Sequence, residues 1–218
     1  MDQKLLFLIN RDWTSPALDS FMATLSCFAA WVPFAVIAIV LLWVGGGFKA
    51  RAMLLSLAVV IAVSNTVVSD SIKKIVNRPR PRDSLSGLRV VDLQPSAFRF
   101  LSIFKPPVVT SSVAGSSDLA GHSFPSGHTI NNFSAAMVFT LFYRRRGWLY
   151  FIPAALVAYS RVYVGAHWPG DVVTSAFLGV GVTLLVISML EWAWRKYAAR
   201  WVPSLHAHHP SLLGGASA

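Results

Sequence analysis

Three short clusters carry the residue types that phosphoryl chemistry needs. The first is Lys73, six intervening residues, then Arg80-Pro81, inside the basic run KKIVNRPRPR. An ammonium offers a point charge and a guanidinium a planar fork, and both suit phosphate oxygens. Pro79 and Pro81 stiffen the chain around Arg80 and stop a helix from continuing. The second cluster is Pro125-Ser126-Gly127-His128. A helix starting here leaves backbone N–H groups unpaired, and with the helix dipole they form an anion site. Ser126 adds a hydroxyl donor, Gly127 lets an oxyanion approach closely, and His128 follows directly. The third is Ser160-Arg161, five residues, His167, three residues, Asp171. Across the tight turn HWPGD, the carboxylate is placed to accept a proton from one ring nitrogen and make the other more basic.

Taken singly, each cluster has a plainer reading: a basic membrane edge, a histidine satisfying a backbone group, an arginine anchoring a helix end. Together they supply three cations (Lys73, Arg80 and Arg161), one helix-start cradle and two histidines. No Asp/Glu cluster with Mg²⁺ or Ca²⁺ spacing accompanies them. Cationic side chains can do a metal's charge-stabilising work on a phosphoryl group. Two histidines allow one to attack phosphorus and the other to protonate the leaving oxygen. The sequence therefore predicts hydrolysis of a phosphoester or phosphoanhydride through a phosphohistidine, with no metal and no cofactor.

Composition says where this chemistry sits. Hydrophobic residues make up 55% of the 218 and charged ones 13%, against about 45–50% and about 25% in ordinary globular chains. Disordered, collagen-like and disulfide-scaffold classes are excluded, and the single Cys27 has no intrachain partner. Apolar stretches over residues 22–44, 52–69, 125–143, 147–163 and 172–190 approach the roughly 20 residues that a membrane-spanning helix needs. The first twenty residues mix Leu5, Leu6, Ile9 and Trp13 with Lys4, Arg11 and Asp12, a pattern for a helix lying in the membrane interface. The predicted fold is an all-α integral membrane protein. It is an antiparallel bundle of about five transmembrane helices plus the N-terminal interfacial helix, forming one domain over residues 1–201. Residues 78–124 read as a long polar insert, and residues 202–218, with His206, His208 and His209, as a flexible tail.

Five spans would gather the three clusters on one membrane face. Lys49, Arg51, Arg144, Arg145, Arg146, Arg195, Lys196 and Arg200 fall at the opposite ends. Basic residues favour the cytoplasm, so the clusters are expected outside. The net charge of +10 is divided between two faces, which excludes nucleic acid as a partner. A transporter passing anions is the non-enzyme alternative, but its charges would lie at mid-bilayer.

The three clusters resemble, complete and in order, the three signature motifs of the type 2 phosphatidic acid phosphatase (PAP2) family. The resemblance implies that His167 is the nucleophile, Asp171 its orienter and His128 the acid for the leaving group. It implies that Lys73, Arg80, Ser126, Gly127 and Arg161 hold the phosphate. Small bacterial members suggest a lipid phosphate or diphosphate as substrate, with undecaprenyl diphosphate first. Lipid A 1-phosphate and phosphatidylglycerophosphate or phosphatidate are the alternatives. The expected setting is the outer face of a bacterial inner membrane.

Overall fold

In hydrocarbon a backbone must satisfy its own hydrogen bonds, and long apolar stretches then have the helix as their natural state. The computed structural model describes residues 1–115, 122–144 and 146–214. Arg145, one of the basic residues named above, lies outside the described residues. The helices are α1 (Asp2–Phe7, continued by a π-turn over Leu8–Asp12), α2 (Pro16–Ser26), α3 (Phe28–Gly45) and α4 (Phe48–Val63). A second π-turn, Ser64–Ser69, joins α4 to α5 (Asp70–Val76), and the short α6 (Pro81–Ser84) follows. Then come the strands β1 (Arg89–Leu93) and β2 (Pro107–Ser111), with a 3₁₀ turn, Arg99–Phe104, between them. The chain ends with α7 (Gly127–Tyr143), α8 (Phe151–Tyr163, entered through a 3₁₀ turn over Gly147–Tyr150), α9 (Pro169–Trp201) and α10 (Pro203–His208).

Helices occupy all five stretches predicted to span. Among the described residues, three helices are long and apolar enough to cross a membrane: Phe28–Gly45, Phe48–Val76 and Pro169–Trp201. The first of these exposes Phe28, Phe34, Ile37, Leu41 and Val44. A helix that is apolar all round and exposed on most of its surface has lipid as its solvent. α7 is 17 residues long and α8 is 13.

The centre of the bundle is α7, packed against α4, α8 and α9. Small residues let α7 and α9 approach closely, as is usual where lipid removes the hydrophobic drive between helices. A Cβ on Gly179 would meet the Ile130 carbonyl oxygen at 2.6 Å. The Gly179 carbonyl accepts from Ser134 Oγ at 3.1 Å and Thr183 Oγ1 at 2.7 Å, all buried. Apolar clusters flank this seam. Met53, Val60, Val138, Phe142 and Ile187 pack at one end, and Leu6, Met22, Leu88, Val91 and Tyr163 at the other.

Three expectations change. The N-terminal segment is two helices, because Ser15 caps α2 and Pro16 begins it. Its face of Leu6, Ile9, Met22 and Ala23 is core, so the segment packs on the protein. The fold is not all-α: in the insert, β-branched residues pair β1 antiparallel with β2, Val91 opposite Val109. The described part of the tail is folded. His209 stacks on Phe48 at 4.1 Å, and its carbonyl accepts from Trp194 Nε1 at 2.8 Å.

Gly179→Ala should lower the unfolding midpoint in detergent, corresponding to about 1–3 kcal/mol, the usual cost of overpacking. Gly181→Ala meets nothing within 4 Å and should unfold no earlier than the parent, since alanine is the better helix former. Equal midpoints for the two variants would mean that the seam does not need its glycine.

Candidate active site

A buried polar network brings distant segments to one end of the bundle. Asn10, fully buried, donates to the carbonyls of Arg89 at 2.8 Å and Tyr163 at 2.7 Å, and accepts from the Arg89 amide at 2.9 Å. Asp19 accepts from Arg89 Nη2 at 2.8 Å and from the Tyr163 hydroxyl at 2.7 Å. N-terminal helices, hairpin and α8 are thereby joined beside the turn that carries His167. Gly165 in that turn has φ +75°, and a Cβ there would meet the Arg89 carbonyl oxygen at 2.8 Å. Only glycine suits both demands.

His167 is buried, 3% exposed, between α8 and α9. Its Nδ1 lies 2.7 Å from the Ser123 carbonyl oxygen. A carbonyl only accepts, so Nδ1 carries the proton and Nε2 keeps its lone pair. Burial pushes the His167 pKa well below its ordinary value, and the charges of Arg161 and Arg80 push the same way against the Ser123 hydrogen bond. The ring is neutral at neutral pH.

Asp171 sits elsewhere than expected. It forms no hydrogen bond with His167 among the described residues. Its carboxylate accepts from Ser123 Oγ at 2.5 Å and from Arg78 Nη1 at 2.5 Å. The Ser123 carbonyl takes the place at Nδ1, and Asp171 reaches the ring only through Ser123. Sequence reasoning missed Ser123 because a backbone acceptor leaves no side-chain signal. It also passed over Arg78, one of several like-charged residues in KKIVNRPRPR.

The second cluster opens α7. No side chain caps this helix, so its first amides lack intrahelical acceptors. Ser126 turns inward: its N–H donates to Ser175 Oγ at 2.8 Å, and its fully buried hydroxyl accepts from Thr129 at 3.0 Å. These bonds brace the helix start and leave the Ser126 hydroxyl hydrogen and the amides that follow as donors. A Cβ on Gly127 would meet nothing within 4 Å, which is the open space an oxyanion needs.

The three cations reach the same place. Arg161, Arg80 and Lys73 all act electrostatically on His128, and Arg161, Arg80 and His128 act on His167. Arg161 donates to the carbonyl and hydroxyl of Ser26, yet its Nε is buried with no partner among the described residues. The same holds for Arg80 Nε. Burial and the charge of Arg82 lower the Arg80 pKa, against the charge of Asp83, so an added anion would stabilise this cation further. Beside His128 runs a groove of about 330 Å³ lined by Leu25, Phe28, Trp31, Pro153 and Val157. One polar end meeting one apolar groove fits an amphiphile carrying a phosphate.

Comparisons with known proteins agree on the family. The lipid A 4'-phosphatase of Bacteroides thetaiotaomicron is 28% identical over 182 residues, 82% of this chain and 72% of that protein. The putative undecaprenyl-diphosphatase YbjG of Escherichia coli is 27% identical over 183 residues, 83% and 78% of the two chains. Two relatives of higher identity, 45% and 39%, align over only about a third of their own length. The crystal structure of Aquifex aeolicus LpxE superposes with a TM-score of 0.58 at 24% identity, covering 86% of this chain and 94% of that one, which shows the same fold. The PAP2 superfamily profile matches residues 50–195, a stretch that contains all three clusters, and this chain belongs to that superfamily.

Proposed function

We propose that this protein is a membrane lipid phosphatase, residues 1–201 acting as one unit, and that it works through a phosphohistidine on His167. The observation that carries the reading is the Nδ1–Ser123 hydrogen bond, which leaves Nε2 of a neutral ring unprotonated among three cations. The anionic substrate brings His128 its proton by offsetting the charges of Arg161, Arg80 and Lys73. Nε2 then attacks phosphorus and the bond to the leaving oxygen breaks, while the His128 imidazolium gives that oxygen its proton. His128 then takes a proton from water, the water oxygen attacks the phosphohistidine, and the P–N bond breaks. Inorganic phosphate leaves and both rings return to their starting states. Lys73, Arg80, Arg161 and the amides from Gly127 onward stabilise the non-bridging oxygens throughout, in place of a metal. Ser126 holds the α7 start that presents those amides.

The apolar groove lies at His128, on the side where the leaving group would be protonated, so the tail departs with the leaving oxygen. A lipid diphosphate of the undecaprenyl type is the first substrate, supported by the YbjG alignment over 83% of the chain. A lipid A phosphate is the second reading, supported by the Bacteroides relative aligned over 82%. Glycerophospholipid phosphates fit the same groove. With α7 and α8 completing five crossings, the site faces outward from a bacterial inner membrane. Lys49, Arg51 and Arg146 stay inside.

Acid-labile ³²P-phosphoenzyme should be trapped in the parent and be absent in His167→Ala. His128→Ala should slow an alkyl phosphate by about 10²–10⁴-fold, the usual worth of general-acid catalysis, and slow an aryl phosphate far less. Label trapped on His167→Ala but not on His128→Ala would reverse the two roles. Phosphate release by purified protein should continue in excess EDTA; loss restored by Mg²⁺ would overturn the metal-free chemistry. In a Cys27→Ser background, a cysteine at the exposed Val113 should react with an impermeant reagent on spheroplasts, and one at Arg146 only after permeabilisation. The opposite pattern would place the site in the cytoplasm.

A further inference from the structure

The turn that carries His167 is held from a point 165 residues away in sequence. Asp2, on α1, accepts the Gly170 amide at 2.8 Å through Oδ1. Gly170 is the second residue of α9, and no side chain within that helix start caps it. The carboxylate therefore caps α9 from another helix, where its charge also suits the helix dipole. Through Oδ2 the same group accepts from Arg78 Nη2 at 2.7 Å. Arg78 turns its other nitrogen, Nη1, to Asp171, and its guanidinium lies 5.1 Å from the Trp168 ring centroid.

The contacts run on without a gap. Asp2 holds Arg78, Arg78 holds Asp171, Asp171 holds the Ser123 hydroxyl, and the Ser123 carbonyl holds His167 Nδ1. Asp171 is 1% exposed, and a buried carboxylate needs its cation fixed. Without Asp2, Arg78 loses one of its two carboxylates and is free to swing toward water, since its side chain is 36% exposed. Two charges on Arg78 fix the guanidinium more firmly than one. Burial acts to lower the Arg78 pKa, yet bonding to Asp2 and the charge of Asp171 raise it above its ordinary value.

We propose that Asp2 is a positioning residue for the nucleophile: it caps α9 in trans and, by way of Arg78, fixes Asp171 and Ser123 so that His167 keeps its Nδ1–H tautomer. This rests on the phosphohistidine reading above. Asp2 acts through Arg78, Asp171 and Ser123 and is not among the residues assigned to the phosphate, so its loss acts on turnover and leaves substrate affinity alone.

The test is steady-state turnover of the full chain in detergent with one alkyl phosphate monoester. The variants are Asp2→Asn, Asp2→Glu, Arg78→Gln and the Asp2→Asn/Arg78→Gln double. Asn keeps an oxygen for the Gly170 amide and removes only the charge facing Arg78. In Asp2→Asn, kcat should fall by about 10-fold, inside the roughly 10²-fold that a 1 Å displacement costs, with KM within twofold of the parent. Asp2→Glu should recover at least half of the lost kcat. In the Arg78→Gln background, Asp2→Asn should cost nothing more, because coupled residues are not additive. Unchanged kcat, a matching rise in KM, no recovery with Glu, or an undiminished loss in the double variant would each overturn the proposal. So would a lower unfolding midpoint with normal kcat, which marks a purely structural role. If His167→Ala, run alongside, turns over like the parent, the phosphohistidine reading itself fails, whatever Asp2 does.

Discussion

Arg161 is a half-buried guanidinium with an enclosed Nε, a hydroxyl and a carbonyl of Ser26 for partners and no ion pair among the described residues. Burying an unpaired charge is costly, and most proteins would meet it with a carboxylate. Here Arg80 adds a second cation whose Nε is also unpartnered, and both act on two histidines. The fold accepts this standing repulsion at one spot. Under the proposed chemistry, a phosphoryl group arriving there would meet donors already aimed, and little reorganisation would be left for the reaction itself. Burial, and after it the same cations, favour neutral His167, the state that the proposed attack on phosphorus needs.

Keeping such a site open requires stiffness around it. The α7–α9 seam supplies that below the site, where Gly179 lets the two backbones touch and Ser134 and Thr183 bond to its carbonyl. Beside the site, Asn10, Asp19, Arg89 and Tyr163 form a satisfied polar network. Networks of this kind fix one arrangement because every alternative leaves a buried group unpaired. Hairpin, N-terminal helices and α8 are thus set relative to one another by hydrogen bonds, where apolar packing alone would allow sliding.

The two ends of the bundle divide the work. One end gathers Lys73, Arg80 and Arg161 around His128 and His167. The other gathers aromatic and basic residues: Lys49 over the Tyr143 ring at 5.4 Å, Lys196 over Trp192 at 4.7 Å, and His209 stacked on Phe48. Such aromatic and basic girdles suit the level of lipid headgroups. The described part of the tail packs at this far end.

Read alone, the sequence determines the apolar helices and the three clusters, because both are local. Charge-free length is written in consecutive residues, and so are the spacings from Lys73 to Arg80 and from Arg161 to Asp171. It also leads to the PAP2 superfamily. What it does not contain is partner choice. Asp171 is four residues from His167 yet bonds to Ser123 and Arg78, and the acceptor for His167 is a backbone carbonyl. Ser126 sits in the motif, but its backbone N–H and its hydroxyl oxygen bond inside the bundle, to Ser175 and Thr129. Asp2 reads as one acidic residue in a mixed N-terminal segment until α1 lies against the start of α9. Hydrogen bonds are satisfied by whichever group folding brings within 3 Å or so, and at these positions that group lies far off in sequence or carries no side-chain identity at all.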